Sequence, residues 1–193
     1  MTFTLDQMHP NVKFLYEYWY SISPDYRLPG RQHFDPAEVL RLLPSILLID
    51  VHREPMSFKY RLVGSKFEKF AGEHLTGLRF AHRLKGLHLQ RAEKILRSVV
   101  NFKQPSWRRG KPLIRWEKNF VELERLLLTL ASDGENVDLI LAITVHSSRP
   151  AKEEWNTASR LFQSLPVFVG GERNFEQGQS PMPFGIDRIT AAA

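Results

Sequence analysis

The sequence of 193 residues predicts an α+β domain in which helices pack on one face of a five-stranded antiparallel sheet. An N-terminal helix precedes this domain, and a C-terminal extension follows it. Apolar residues form one continuous run and then alternate in the adjoining segment, recur at helical steps of three and four, and then form strand-like runs around Asp133-Gly134. Strands, then helices, then strands are typical of helices packed on one sheet. The predicted boundaries are 1–22, 23–147 and 148–193.

The first predicted element is a helix over residues 11–22, where apolar side chains recur on one face. Tyrosines and a phenylalanine widen this face beyond an ordinary apolar stripe. Such a helix must dock on its own domain or on a partner. The residues expected to make this contact are Leu15, Tyr18, Trp19 and Ile22.

A short helix and a hairpin are predicted next. Asp35 can cap the helix, Pro36 suits its first position, and Pro44 ends it. An apolar strand over 45–51 and an alternating strand over 58–64 then form an antiparallel pair. The alternation places on one face Phe58, Tyr60 and Leu62.

Two helices and three strands complete the predicted domain. Helices are expected over 65–75 and 83–103, the second with an apolar side and a basic outer side. Prolines predict a turn over 104–112. Asp133-Gly134 predicts a hairpin turn between the last two strands. The three strands are expected over 113–117, 120–131 and 137–147.

Positive charge is concentrated in the middle of the sequence. The chain has 27 Lys and Arg against 21 Asp and Glu, a net charge of +6. Between Arg79 and Arg125 there are 13 Lys and Arg and 4 Asp and Glu, a local +9. Tryptophans interleaved with arginines suit a nucleic acid or a cyclic dinucleotide, and the alternative is a solvated basic surface. The candidate anion contacts are Arg108, Arg109 and Arg115.

Motifs of catalysis and of metal binding do not occur in the sequence. There is no GxSxG, P-loop, GxGxxG, HxxxH or HExxH pattern, so neither an enzyme nor a metal site is expected. Asp50 and His52 share a strand face and could form an acid–base pair. An ion pair between Asp50 and Arg61 on the adjacent strand explains the same residues more simply.

The sequence identifies no cofactor. Haem would need an axial histidine, for which His74, His82 and His88 are candidates, with a structural histidine as the alternative. Cysteine is absent, which excludes thiolate metal sites and flavin chemistry through a cysteinyl adduct. No apolar run approaches the roughly 20 residues of a membrane helix. Since no secretory signal is visible either, a cytoplasmic protein is expected.

Short motifs follow one another in a fixed order between residues 16 and 77. With the later Asp133-Gly134 turn and the strand over 137–145, they resemble a family of bacterial stand-alone PAS-like domains, originally catalogued as a domain of unknown function. The resemblance spans residues 12–147 and leaves the C-terminal extension outside. The motifs are Tyr18-Trp19, Leu28-Pro29-Gly30-Arg31, Phe34-Asp35-Pro36, Leu43-Pro44, Leu48-Ile49-Asp50, Tyr60-Arg61-Leu62-Val63-Gly64 and Leu75-Thr76-Gly77.

The resemblance implies the PAS fold and a non-catalytic sensory or regulatory role in signal transduction. A small ligand or a protein partner would bind, and the output would act in trans because no effector module is attached. The resemblance also implies a homodimer formed through the N-terminal helix. A pocket would lie between the helices and the sheet, with ordinary core packing as the alternative. The predicted lining is Tyr60, Leu62, Phe67, Phe70, Leu75, Phe80, Leu128 and Ile143.

Overall fold

The computed structural model describes residues 8–24, 27–110 and 122–147. The predicted C-terminal extension lies outside these residues. Within them, no helix is long and apolar enough to cross a membrane. The α-helices are α1 (Pro10–Ser21), α2 (Ser65–Ala71), α3 (Phe80–Arg83) and α4 (Gly86–Phe102), and 3-10 helices lie at Arg31–His33 and Leu40–Ser45. The strands are β1 (Ile46–Arg53), β2 (Met56–Val63), β3 (Ser106–Gly110), β4 (Glu122–Leu130) and β5 (Leu139–Ser147).

The five strands form one antiparallel sheet in the order β2-β1-β5-β4-β3. Two hairpins, β1–β2 and β4–β5, meet where β5 pairs with β1 in the middle of the sheet. Helices α2 to α4 lead from β2 to β3, and these two strands form the opposite edges of the described sheet. The predicted α+β class and the five-stranded antiparallel sheet are confirmed.

The strand registers define two faces of the sheet, because side chains alternate along each strand. One face carries Leu127 of β4, which pairs with Ala142 of β5, which in turn pairs with Leu47 of β1. Helix α4 packs on this face. The next residue along each strand points to the other face, where α1 packs against β4 and β5. The described part of the sheet is therefore covered on both faces.

Helix α1 docks on the sheet through the apolar side that the sequence predicted. Leu15 and Trp19 are fully buried in the core. The indole Nε1 of Trp19 donates a hydrogen bond to the carbonyl oxygen of Thr129 at 2.9 Å. The Tyr18 hydroxyl accepts a hydrogen bond from the backbone N–H of Asp35 at 2.7 Å. Because Leu15 and Trp19 face the chain's own sheet, the expectation that they contact a second copy is corrected; the homodimer itself stays a prediction.

The predicted helix after Asp35 differs in type from the one observed. Asp35 does accept a hydrogen bond from the backbone N–H of Ala37 at 2.8 Å. A turn then leads to a 3-10 helix, Leu40–Ser45, which contains Pro44 instead of ending before it. Proline has no N–H for the bond to the residue four positions back, so this segment does not form an α-helix.

The third strand lies earlier than expected. Residues 104–112 were predicted as a turn, yet Ser106–Gly110 forms β3 and pairs with β4 along its whole length. Proline content suggested a turn, whereas pairing with an apolar neighbouring strand stabilises an extended conformation. Charged residues are common on edge strands, where they oppose further strand addition. The predicted strand over 113–117 lies outside the described residues.

Candidate ligand cavity

A cavity of about 110 Å³ lies between the sheet and helices α2 to α4. It is smaller than the roughly 300 to 1,000 Å³ of drug-sized pockets, but it exceeds the space that one water molecule needs. Residues of all five strands and of α2, α3 and α4 line it, together with Leu84, which follows α3. Most lining side chains are apolar, and the polar ones are Tyr60, Arg108, Arg125 and Thr144.

Aromatic rings form the wall of the cavity nearest β2. The rings of Tyr60 and Phe80 stack with centroids 4.1 Å apart, and Phe58 meets Phe80 edge to face at 6.2 Å. The backbone of Tyr60 is held by the segment before α3, since its carbonyl oxygen accepts a hydrogen bond from the N–H of Gly77 at 2.6 Å. Burial raises the pKa of Tyr60 to about 12. Tyr60 therefore presents a neutral phenol at physiological pH.

Two arginines line the cavity from neighbouring strands. Arg108 on β3 pairs in register with Arg125 on β4, and Arg125 pairs with Thr144 on β5. The three side chains form a row across the cavity face of the sheet. Like charges directly opposite each other on paired strands are unfavourable unless an anion lies between them. No acidic side chain is among the described residues that line the cavity.

Burial sets the electrostatics of these arginines. It lowers the pKa of Arg108, and together with the charge of Arg108 it lowers the pKa of Arg125 to about 10. Both guanidinium groups remain charged at neutral pH. The Nε atom of Arg125 is buried and has no hydrogen-bond partner among the described residues. A buried donor without an acceptor costs about 1 to 3 kcal/mol, and more when it is charged.

The other predicted anion contacts do not join this row. Arg109 lies on the opposite face of β3, where its Nε is 3.5 Å from the Oε2 of Glu124. Glu124 is buried and also accepts hydrogen bonds from the indole Nε1 of Trp107 at 2.9 Å and from the backbone N–H of His9 at 2.7 Å. The alternation of β3 thus separates Arg108 from Arg109. Arg115 lies outside the described residues.

The predicted pocket residues divide into two groups. Those that line the cavity are Tyr60, Phe67, Phe70 and Phe80. Leu62 is 43% exposed, because a bulge at Arg61 reverses the alternation of β2 and turns Leu62 to the other face. Leu128 and Ile143 also point to the other face, and Leu75 is buried elsewhere in the core. These four residues are corrected as lining residues.

The sequence prediction missed the polar part of the pocket. Arg108 was expected on an outer basic surface, and Arg125 was not singled out at all. A signal was present, however, since Arg125 directly precedes the mostly apolar run from Leu126 to Leu130. On β4 it shares the face of Leu123 and Leu127, so a charged side chain is placed on an apolar face.

The three candidate haem ligands lie away from the cavity. His74 is exposed, and its Nδ1 is 2.7 Å from the Oε1 of Glu68. His82 and His88 are also exposed, although His88 was expected on the apolar side of its helix. On β5, by contrast, His146 is partly buried, and its ring centroid is 4.0 Å from that of Phe70. Burial lowers the pKa of His146, and its Nε2 has no hydrogen-bond partner among the described residues.

Asp50 takes part in an ion pair. Its Oδ1 is 2.7 Å from the Nε of Arg61, as the simpler interpretation of the sequence predicted. Arg61 is the bulged residue of β2, so its side chain can reach back along the strand to Asp50. His52 is exposed near the end of β1.

Comparisons with known proteins support the fold. A family model described as "PAS domain" matches residues 7–145, which includes α1 as well as the sheet. A structure of RsLOV, a point variant, is 11% identical with a TM-score of 0.41 and covers 77% of each chain. The LOV protein of Rhodobacter sphaeroides is 10% identical with a TM-score of 0.40, and the match covers 77% of this chain and 73% of the other. No curated protein matches the sequence.

The expectation about flavin is corrected in its scope. The missing cysteine was taken to exclude flavin chemistry through a cysteinyl adduct, and with two LOV proteins among the similar structures this exclusion does not extend to flavin in general. The absence of cysteine removes the sulfur atom that would form an adduct, but it has no bearing on non-covalent binding of a flavin ring. At such low similarity the comparison assigns no cofactor to this chain.

Proposed function

This chain belongs to the PAS domain family, and on that premise we propose that it is a non-catalytic sensory or regulatory domain. It binds a small molecule in the cavity between the sheet and α2 to α4 and transmits the bound state to a partner in trans. The observation that carries the proposal is Arg125, whose buried Nε faces no hydrogen-bond acceptor among the described residues. A charge in this position requires a counter-charge, which a ligand can supply.

The surroundings of the cavity favour a binding site over a residual packing defect. Empty cavities in protein cores are apolar, whereas this one contains two cationic side chains and a threonine. Its space is too large for a single water molecule. A ligand with an apolar body and a polar end would satisfy both parts of the lining.

Strand β4 offers a route from the cavity to α1. Arg125 lines the cavity, and the preceding Glu124 on the opposite face accepts the hydrogen bond from His9, just before α1 begins. At the other end of the strand, the indole N–H of Trp19 in α1 donates a hydrogen bond to the carbonyl oxygen of Thr129. A ligand that shifts Arg125 would therefore displace groups that hold α1. We infer that α1 and its surroundings carry the output.

A nucleic acid is not the proposed ligand, because several cations of the basic segment are used within the fold. Arg83 lies 2.6 Å from Glu73, Arg97 lies 3.4 Å from Glu93, and Arg109 contacts Glu124. Arg108 points into the cavity instead of outward. Among the described residues, these four arginines are therefore engaged within the fold, while Arg91 and Lys94 of α4 stay exposed.

The test is whether the cavity holds a small molecule. The full chain would be purified, and native and denaturing mass spectrometry would be compared for a mass lost on unfolding, together with an absorption spectrum. Ala92 lines the cavity from α4, so Ala92→Phe should remove the extra mass or the thermal shift given by a metabolite panel. The matched control, Ala81→Phe, changes an exposed alanine of α3 and should leave binding intact.

The proposal fails if the wild-type protein carries no extra mass and no compound of the panel raises its melting temperature. It also fails if Ala92→Phe folds and binds as well as the wild type. Loss of binding in both variants would point to a general loss of structure, which circular dichroism of each variant would reveal.

A further inference from the structure

We propose that the ligand is a small monocarboxylate with an apolar body, bound through its carboxylate to Arg125 and Arg108. This inference rests on the proposed function and adds the chemical class of the ligand. The two guanidinium groups lie in register on neighbouring strands and line the same cavity.

The head group follows from the geometry of Arg125. The Nε–H and the adjacent Nη–H of an arginine form a planar fork that matches the two oxygens of a carboxylate. The Nε of Arg125 is buried and has no hydrogen-bond partner among the described residues, so one arm of this fork lacks an acceptor within the described chain. An anion in the fork would supply the missing acceptor and offset the repulsion between Arg125 and Arg108.

A carboxylate fits the polar part of the lining better than a phosphate does. A phosphate presents three oxygens and up to two charges, which require several donors that converge on it. Among the described residues, the polar row on the sheet consists of Arg108, Arg125 and Thr144. A carboxylate, with two oxygens and one charge, suits the single fork of Arg125, with Arg108 and the Thr144 hydroxyl beside it.

The body of the ligand follows from the remaining lining. Phe67, Phe70 and Phe80 lie on the helix side, and Leu127 and Ala142 lie on the sheet side. These surfaces would desolvate an aromatic ring or a short aliphatic chain. A cavity of about 110 Å³ sets the size to a few heavy atoms beyond the head group. Benzoate and hexanoate represent the two shapes.

The experiment compares these acids with uncharged molecules of the same shape. Isothermal titration calorimetry on the full chain would use benzoate and hexanoate beside benzyl alcohol and 1-hexanol. The carboxylates are expected to bind at least tenfold more tightly. Arg125→Met should remove this preference by weakening only the carboxylates, by about 10- to 100-fold, the range of charge-assisted hydrogen bonds.

Two further variants separate the charge of Arg125 from its shape. Arg125→Lys keeps the charge but loses the fork, so it should retain part of the preference. Arg91→Met removes an exposed arginine of α4 and should bind like the wild type. Urea unfolding of each variant verifies that it folds, and a misfolded Arg125→Met leaves Arg125→Lys to decide.

Each outcome bears on the inference. Equal affinity for acids and alcohols, or full carboxylate binding by a folded Arg125→Met, overturns the assignment of the head group. If none of the four probes binds, the carboxylate class is overturned as well. The proposed function is judged apart from this, since a co-purifying mass that Ala92→Phe abolishes would support a ligand of another class.

Discussion

Adjacent residues of β4 lie on opposite faces of the sheet and make different contacts. Arg125 faces the cavity, and its Nε has no hydrogen-bond partner in the described part of the chain, whereas Glu124 faces α1 and accepts hydrogen bonds from two donors. The alternation of a strand places such neighbours on separate sides of one sheet. A small movement of β4 therefore acts on both sites at once.

The buried carboxylate of Glu124 can be tested directly. Glu124→Ala removes the acceptor of Trp107 Nε1 and of the His9 N–H, and it removes the carboxylate that Arg109 contacts. We expect the free energy of unfolding to fall by about 3 kcal/mol, the upper end for hydrogen bonds to a charged group, because two donors lose a buried carboxylate acceptor. Urea unfolding, followed by tryptophan fluorescence and circular dichroism, measures this loss.

A half-buried glutamate on the helical surface provides the matched control. Glu93 pairs with Arg97 one turn away on α4, and such helical pairs contribute only about 0.2 to 0.5 kcal/mol. Glu93→Ala should therefore cost much less than Glu124→Ala. Equal losses in the two variants would mean that the Glu124 cluster contributes no more than a surface ion pair.

Single residues also mark where prediction from the sequence ended. Perfect alternation of β2 would have placed Leu62 beside Tyr60, but one bulged residue, Arg61, reverses every side chain after it. Arg61 contacts Asp50, and that pairing was predicted even though its consequence for Leu62 was not. A bulge depends on contacts between strands, so alternation within one strand does not reveal it.

Elements that are separate in the sequence meet in the structure. The loop at Leu28 and Pro29 docks on the β4–β5 hairpin, where Leu28 N–H donates to the Gly134 oxygen at 3.2 Å and Ala131 N–H donates to the Pro29 oxygen at 2.9 Å. Gly64, after β2, packs on the backbone of Leu43-Pro44. The short motifs of the sequence are therefore contact points between loops.

Gly64 makes the closest of these contacts. A Cβ at this position would lie 2.5 Å from the carbonyl oxygens of Leu43 and Pro44, and these are backbone atoms that cannot rotate away. Its N–H also donates to the Ile46 oxygen at 2.8 Å, which holds the two segments together. We expect Gly64→Ala to lower the free energy of unfolding by at least about 2 kcal/mol.

Gly72 serves as a control for the conformational effect of glycine. It has a φ of +74° with nothing within 4 Å of a Cβ, so Gly72→Ala should cost about 1 kcal/mol from its backbone conformation alone. Denaturant unfolding of both variants compares the steric cost with the conformational one. A loss from Gly64→Ala no larger than that from Gly72→Ala would contradict the close contact.

The type of most elements could be predicted from the pattern of apolar residues, whereas the position of β3 depended on its pairing with β4. Helix α1, strands β1, β2 and β5, and the long helix α4 formed close to their predicted bounds because each has a clear apolar period or a continuous apolar run. Strand β3 has no such period; it carries Trp107 and two arginines and is extended because β4 lies beside it. Tertiary pairing of this kind overrides local composition.

At the scale of the whole molecule, the net charge of +6 has a different meaning from the one first considered. The basic segment is distributed over both faces of the sheet and over α4, where acids pair with several of its members. One pair, Arg108 and Arg125, lies inside. Under the proposed function, part of the charge that could have suited a long polyanion outside is thus directed at a small anion within.

The last prediction concerns transmission across the sheet. Trp19→Phe removes the hydrogen bond to Thr129 and part of a fully buried side chain, so α1 should hold β4 less firmly. Amide hydrogen exchange should rise about tenfold in α1 and in β4, the change that a loss of about 1.4 kcal/mol produces. If β4 couples the two faces, exchange should also rise in α4 across the cavity.

Tyr20→Phe, at a more exposed position of the same helix, should leave all three elements unchanged. A rise confined to α1 would show that the helix moves independently of the sheet, and α1 would then be excluded as the output of the cavity.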